Sequence, residues 1–310
     1  MPIADFTLTL GSSIIRIGPY FRGLDRIFRL FNEAMLKLGA WPILKAKMKD
    51  GTIMYVDLRT YTELEAYYRG TYDSGLIAIV KSLLDNPDSV FLDIGANIGF
   101  YTISIGNYLR SKNGSGRVVS FEPFEGNYQR MLDNLKLNQL ESLCSVHKIG
   151  LSNEARSSYL TLREDFRRGS NTGNAAIPTN EEFDAGFRKV TIQLERLDDI
   201  WDRINIDYGR IDVIKMDIEG HEDFCLEGGK NTLEIHRPTI LMEVNKPYYD
   251  ARGVELNSRF LLLIPKNYRI YRLYDSEWKP ISSFDNCSTI DNVFLVPGEK
   301  LVSQNYKIFN

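Results

Sequence analysis

Long uncharged runs, paired cysteines, a histidine cluster and a surplus of either charge are all missing from this chain of 310 residues. The longest stretch free of Asp, Glu, Lys and Arg lies between Asp93 and Arg110. It is short for a membrane span and carries Gly, Asn, Ser and Thr, so no transmembrane segment is expected. The first 15 residues lack a basic segment ahead of an apolar core, which argues against a secretory leader. Cys144, Cys225 and Cys287 are odd in number and far apart, with no CxxC pair and no Cys/His cluster. A disulfide scaffold and a zinc site are therefore not expected, and free thiols fit a reducing cytoplasm. A net charge of −3 provides no global field for nucleic acid.

What is present is an ordinary globular balance, 43% hydrophobic and 25% charged, enough for one large domain with an extension. Residues 14–38 place Ile17, Phe21, Leu24, Phe28, Phe31, Met35 and Leu38 at helical spacing, with Arg16, Arg22, Arg26, Arg29 and Lys37 mostly on other faces. Such a helix packs on its own core or on a second copy in a homodimer. The sharper alternative is contact with the inner membrane surface or a lipid-linked substrate. Asp50-Gly51 between two alternating runs predicts a β-hairpin. Residues 1–60 thus read as a helix-and-hairpin extension and residues 61–310 as the main domain. Helices are expected over "TELEAYYRG" and "SGLIAIVKSLLDN", with Thr62 and Asp73 or Ser74 as caps and Gly70 as a stop.

From residue 88 apolar strands alternate with helices: "VFLDI", helix 98–110, "GRVVSFE", helix 125–138, "CSVHKIGL", "DVIKMDI", helix 221–234 and "TILMEV". That order predicts a mostly parallel sheet between helical layers. "YRIYRLY" and "TIDNVFLVP" lack a crossover helix and read as an antiparallel pair at the sheet edge. Residues 165–183 read as a polar loop.

The first parallel strand ends in "DIGANIGF". Gly95 and Gly99 permit a sharp turn and close backbone approach by a ligand. Asn97 either binds that ligand or tolerates a left-handed conformation. A dinucleotide fingerprint requires a third glycine that is missing, and no phosphate-binding lysine follows. Asp93 at the strand end would repel a diphosphate. Glu122, closing the second strand before Pro123, is placed to accept hydrogen bonds from ribose hydroxyls. Asp93, the turn and Glu122 suit an adenosyl cofactor with a cationic end, which S-adenosylmethionine has. An NAD-dependent oxidoreductase and a non-catalytic binding protein on the same scaffold are the rival readings.

"FLDIGANIGFYT", "VVSFEP", "NLKLNQ", "LERLDDI" and "VIKMDIEGHE" together resemble the FkbM-type family of class I S-adenosylmethionine-dependent methyltransferases over residues 60–250. The resemblance implies a Rossmann-like α/β sandwich with a seven-stranded mixed sheet and a C-terminal antiparallel hairpin. It also implies O-methylation of a sugar, glycan or natural-product hydroxyl. In such a sheet the third strand ends near the adenine, which places Ile149, Gly150 and Leu151 there. Tyr68 and Tyr72 are candidates to fold over the cofactor, and Asn171, Thr172 and Asn174 to meet substrate hydroxyls.

"VIKMDIEGHEDF" ends a buried strand with unusual charge density. Methyl transfer needs an aligned acceptor and a base to take its proton. Asp217, His221, Glu219 and Glu243 are the candidates, with Asp217 at the strand's carboxyl end, next to where the cofactor's methionine part should lie. The plainer alternatives are Lys215–Asp217 as an ion pair fixing the loop and His221 as a helix-start residue, and for His221 alone the structural reading is the better one. Asp217, Glu219 and Glu243 also form a conceivable oxygen site for a hard divalent cation, but no metal is expected.

Overall fold

The computed structural model describes residues 3–18, 23–180, 184–204 and 209–309. Its strands are β1 (Ile43–Lys47), β2 (Ile53–Asp57), β3 (Val90–Ile94), β4 (Arg117–Phe121), β5 (Cys144–His147), β6 (Gly150–Ser152), β7 (Arg156–Leu162), β8 (Ala175–Ala176), β9 (Arg188–Arg196), β10 (Ile211–Met216), β11 (Thr239–Asn245), β12 (Tyr268–Tyr274), β13 (Glu277–Ile281) and β14 (Ile290–Pro297). The principal helices are α1 (Ile3–Ile17), α2 (Leu24–Lys37), α3 (Tyr61–Arg69), α4 (Ser74–Leu83), α5 (Phe100–Ser111) and α6 (Glu125–Asn138). They are followed by α7 (Glu164–Arg167), α8 (Leu197–Ile204), α9 (Glu222–Gly228), α10 (Lys230–His236), α11 (Lys246–Ala251) and α12 (Leu256–Leu263).

The main sheet has the order β13-β12-β14-β11-β10-β3-β4-β5. The five strands from β5 to β11 are parallel, and β14 runs antiparallel between β11 and β12. This is the expected mixed sheet plus one edge strand, β13. The run "EWKPI" carries a proline, which an edge strand tolerates because one side of it needs no ladder bonds. β14 is inserted within the sheet rather than placed at its edge. Its buried run Val293–Val296 requires cover on both faces.

Alternation along β3 sends Leu92 and Ile94 to the layer with α8, α9 and α12, and Phe91 to the layer with α4, α5 and α6. A second sheet, β6-β9-β7-β8, takes β6 from the end of "CSVHKIGL", β8 from the expected loop, and β7 and β9 from chain with no assigned element. The expected single strand "CSVHKIGL" is divided: β5 stays in the main sheet, and β6 crosses to pair with β9. The expected loop 165–183 contains part of α7 and all of β8.

The expected helix over 14–38 is two helices. α1 ends at Ile17, and α2 begins after Gly23, whose φ of 96° is left-handed; Phe21 and Arg22 lie outside the described residues. Leu24 and Phe28 are buried, while Phe31 and Met35 pack against the same core. The hairpin forms as expected and is tied to α6. Asn134 accepts from the Tyr55 N–H at 2.7 Å, and Asn138 accepts from the Ile53 N–H at 3.1 Å. Residues before 60 therefore share one apolar cluster with the main-sheet helices. The cap of α3 is Thr60, not Thr62; its hydroxyl accepts the Glu63 N–H at 3.2 Å. Asp73 sits at the α4 cap position without a side-chain cap bond, and Gly70 ends α3 in the left-handed region. No helix of the described residues is long and apolar enough to cross a membrane.

Candidate active site

The carboxyl ends of β3, β4 and β10 open onto a cleft of about 860 Å³, open to solvent on one side. Its roof comes from β6, β7 and the segment 173–177. Gly95, Asn97, Glu122, Pro123, Gly150, Leu151, Asp217, Glu219, His221 and Tyr72 all line it. Asp93 and Gly99 do not, and Tyr68 is buried elsewhere, stacked on Phe28 at 4.8 Å.

The glycine turn answers first to the protein itself. Gly95 has φ 75°, and a Cβ there would lie 2.0 Å from the Asp217 carbonyl oxygen. At Gly99, φ 93°, a Cβ would press on Met131 of α6 at 3.0 Å. Both glycines let neighbouring elements close on the turn. Asn97 adopts φ 51°, its side-chain carbonyl accepts the Ile98 N–H at 2.8 Å, and the residue still lines the cleft.

Asp93 faces α5 because alternation along β3 points it away from Ile94. Its Oδ2 accepts from the Thr102 N–H at 3.0 Å and the Thr102 hydroxyl at 2.6 Å. It is fully buried and anchors α5 rather than facing a ligand, which corrects the expectation that it binds cofactor directly. Its register partner Lys215 offsets its charge. The Lys215 ammonium lies 3.9 Å from Asp93 and 3.3 Å from Asp217, and donates to the Gly95 carbonyl at 3.0 Å. Burial alone would lower the Lys215 pKa, but the surrounding Asp217, Asp93 and Asp73 raise it. Lys215 therefore stays charged and ties the β3 turn to the β10 turn.

Glu122 closes β4 and is buried. One oxygen accepts the Asn97 N–H and the other the Phe124 N–H, both at 2.9 Å. Burial pushes its carboxyl up to about 7, against those bonds. Next to it the cleft is apolar: Phe121, Ile149, Leu151, Leu160 and Ile177. Phe121, Leu160, Ile177 and Asn127 escaped the sequence reading. Asn127, five residues past Glu122, had the clearest local signal.

The opposite end is acidic. Carboxylate oxygens of Asp217, Glu219 and Glu243 lie within 4.8 Å of one another. Glu219 holds φ 56° and accepts from the Asn174 amide at 2.6 Å. Burial and then Asp217 push both Glu219 and Glu243 well above the usual carboxylate range. Beyond Tyr72 and Tyr101 the space continues into a polar recess with Asp73, Glu243 and Asn292. Tyr72 itself is held by stacking on Phe100 at 4.5 Å.

His221 reaches the cleft wall, but its environment differs from that expected of a base. It is buried, its Nε2 lies 2.9 Å from the Ser152 hydroxyl, and burial lowers its pKa to about 3. It joins α9 to β6. Glu222 accepts the Ile218 N–H at 2.9 Å and the Gly220 N–H at 3.3 Å, so it fixes the β10–α9 turn. Thr172 is buried with its hydroxyl donated to Glu63 at 2.6 Å, and Asn171 does not line the cleft. Of the three expected hydroxyl-binding residues, only Asn174 lies in the cleft wall.

Among known proteins, methyltransferase sdnD of Sordaria araneosa is 28% identical over 173 residues, 48% of this chain and 62% of that protein. The AMB antimetabolite synthetase AmbE of Pseudomonas aeruginosa is 28% identical over 187 residues, 51% of this chain and 8% of that protein. The chain thus spans less than two thirds of the curated relatives it matches. Among solved structures, methyltransferase FkbM from Methylobacillus flagellatus KT is 20% identical, covering 94% of this chain and 58% of that one, with a TM-score of 0.41. An O-methyltransferase from Bacillus cereus, solved in complex with SAH, is 12% identical, covering 94% and 98%, also with a TM-score of 0.41. The family model for the methyltransferase FkbM domain matches residues 93–272. That segment runs from the Asp93 anchor through Glu122 and the acidic cluster into β12, and it places this chain in the FkbM methyltransferase family.

Proposed function

We propose that the cleft binds S-adenosylmethionine and that the protein methylates a hydroxyl of a sugar, glycan or natural-product acceptor. The observation that carries this reading is the pairing in one cleft of Glu122 and an apolar slot with the carboxylates of Asp217 and Glu219, next to which Glu243 lies in the adjoining recess. The Glu122 oxygens accept the Asn97 and Phe124 N–H groups and a hydrogen bond from the Asn127 side chain, and a carboxylate with about four lone-pair sites keeps acceptor capacity beyond these. Two vicinal ribose hydroxyls supply the donors that a buried carboxylate lacks, and the apolar walls suit an adenine ring. The acidic end suits a cation and disfavours a diphosphate, which weighs against NAD.

When bound, the cofactor supplies an electrophilic methyl group on a sulfonium. The chain's own work is alignment and proton removal. Lys215 holds Asp217 in place. Asp217 is partly solvent-exposed, so a substrate can reach it, and it accepts the acceptor proton as the new O–C bond forms. The polar recess with Asp73, Glu243 and Asn292 offers hydrogen bonds to a polyhydroxylated acceptor. Tyr72, Tyr101, Lys215 and Asp217 line both the recess and the cleft, and Phe100 holds the Tyr72 ring by stacking.

Titration calorimetry of the full chain tests the cofactor. Binding of S-adenosylmethionine and its demethylated product, with none of NAD, is expected; tight NAD binding with no S-adenosylmethionine binding would refute the reading.

A further inference from the structure

The outer face of the α1–α2 hairpin carries an apolar surface that the methyl-transfer chemistry does not use. On α1, Phe6, Leu10, Ile14 and Ile17 are 60%, 52%, 63% and 88% exposed. Their spacing places them on one side of the helix, opposite the buried Ala4 and Leu8. Thr9 and Ser13 share that side, so it carries no charge at all. Asp5 is turned inward, accepting the Trp41 N–H at 2.8 Å. Arg16 is turned inward too, donating to the backbone carbonyls of Lys47 and Tyr67. α2 carries exposed Ile27 and Leu30 as well, and Leu38 and Trp41, after its end, are exposed.

The surroundings are basic. Residues 1–50 hold eight Lys and Arg against four Asp and Glu, while the whole chain is at −3. Arg26, Lys37, Lys45, Lys47 and Lys49 are exposed, and none forms an ion pair with a described residue. Three of the four acids are spent internally: Asp5 on Trp41, Asp25 on Arg69, and Asp50 on Ser104 and Lys81. Glu33 alone remains as an exposed acid on α2.

We propose that the α1–α2 face is a docking surface for an anionic lipid bilayer, with Phe6, Leu10, Ile14 and Ile17 entering the headgroup–acyl boundary and the flanking Lys and Arg meeting lipid phosphates. An uncharged stripe edged by basic residues is the pattern of helices that lie in a membrane interface. Charge decides between occupants. A second copy would bring an equally basic face against this one, whereas an anionic bilayer complements it. The docked face is also linked to the cleft: α1 and α2 pack on α3, whose Thr62 lines it. The active site would thereby be held near a membrane-borne acceptor.

Vesicle flotation of the full chain provides the test, using phosphatidylcholine vesicles with and without 30% phosphatidylglycerol, alongside sedimentation without lipid. The expected result is flotation only with the anionic vesicles, weakened by added salt. L10Q/I14Q and, separately, R26E/K37E should each cut it at least tenfold. Both variants should retain the unfolding midpoint and cofactor affinity, because all four side chains point outward. Absence of flotation, or flotation equal in the variants, overturns the proposal. A lipid-free dimer that L10Q/I14Q dissolves would likewise overturn it and assign the face to a second copy.

Discussion

A methyl group on Gly95 would lie 2.0 Å from the Asp217 carbonyl oxygen. The cleft-lining turns after β3 and after β10 are thus in backbone contact, and Lys215 fastens the same junction through the Gly95 carbonyl. Gly95→Ala must therefore displace the Asp217 turn as well as strain a left-handed φ. The cost expected from overpacking and strain together is at least about 3 kcal/mol. Urea unfolding of the variant measures it, and a loss below about 1 kcal/mol would show that the two turns move independently.

Glu122 tests the cofactor end. In Glu122→Ala the Asn97 and Phe124 N–H groups lose their acceptor, and so does any ribose in the cleft. Loss of a charge-assisted hydrogen bond is worth about 1.5–3 kcal/mol, or about 10- to 150-fold in affinity for S-adenosylmethionine. Glu122→Gln is expected to fall between the two, since its amide can serve only one of the backbone donors. Unchanged affinity in both variants would place the ribose elsewhere.

Much of this site was legible because local chemistry and topology agree there. "DIGANIGF" and "VVSFEP" follow buried parallel strands, and the carboxyl ends of such strands converge in space. Asp93 was misread because proximity to the turn in sequence says nothing of side: alternation turns it into α5. Its neighbour Lys215 was visible, but its bond to the Gly95 carbonyl spans 120 residues of chain. The second sheet was missed for a different reason. β8 is two residues long, too short for any period to register, whereas β7 and β9 are seven and nine residues long and find their partners in each other across the expected loop, a pairing that sequence order does not display. The N-terminal helix pattern held for Leu24, Phe28, Phe31 and Met35 but not for Ile17 and Leu38, which face outward, and it concealed the break at Gly23, since helical spacing continues across it.

Burial of several carboxyls makes stability depend on pH in a definite direction. Glu63, Glu122 and Glu222 are each raised by burial from an ordinary 4.5 to about 7, and Glu219 and Glu243 are raised as well. The folded state therefore binds their protons more tightly than the unfolded chain does. This stabilisation is complete below about 4.5 and is lost as pH rises through 7. His221, lowered to about 3, acts oppositely, but only below its ordinary 6.5. Between about pH 6.5 and 7.5 the carboxyls dominate, and Lys300, lowered by burial to about 8, opposes them only at higher pH, so the urea midpoint of the ligand-free protein should fall across that interval. Glu122→Gln should flatten the slope, and a midpoint that rises instead would contradict the assigned burial.

The proton acceptor can be separated from its neighbours by comparing two substitutions. His221 is held against Ser152 and resists protonation, so it is poorly suited to take a proton near neutrality. His221→Asn should cost stability through the α9–β6 junction while turnover of the folded fraction stays within about threefold of normal. Asp217→Asn keeps the shape and removes the acceptor of the proton. Loss of a general base is typically worth about 100-fold or more in turnover, with S-adenosylmethionine binding retained. Calorimetry and turnover measured on the same preparations distinguish the two effects. Turnover that survives Asp217→Asn but falls with Glu219→Gln or Glu243→Gln would move the base within the acidic cluster. If turnover in all three single variants depends on added Mg²⁺ and EDTA abolishes wild-type activity, the cluster holds a cation instead. With Lys215 already 3.3 Å from Asp217, EDTA-treated wild-type protein is expected to keep its turnover.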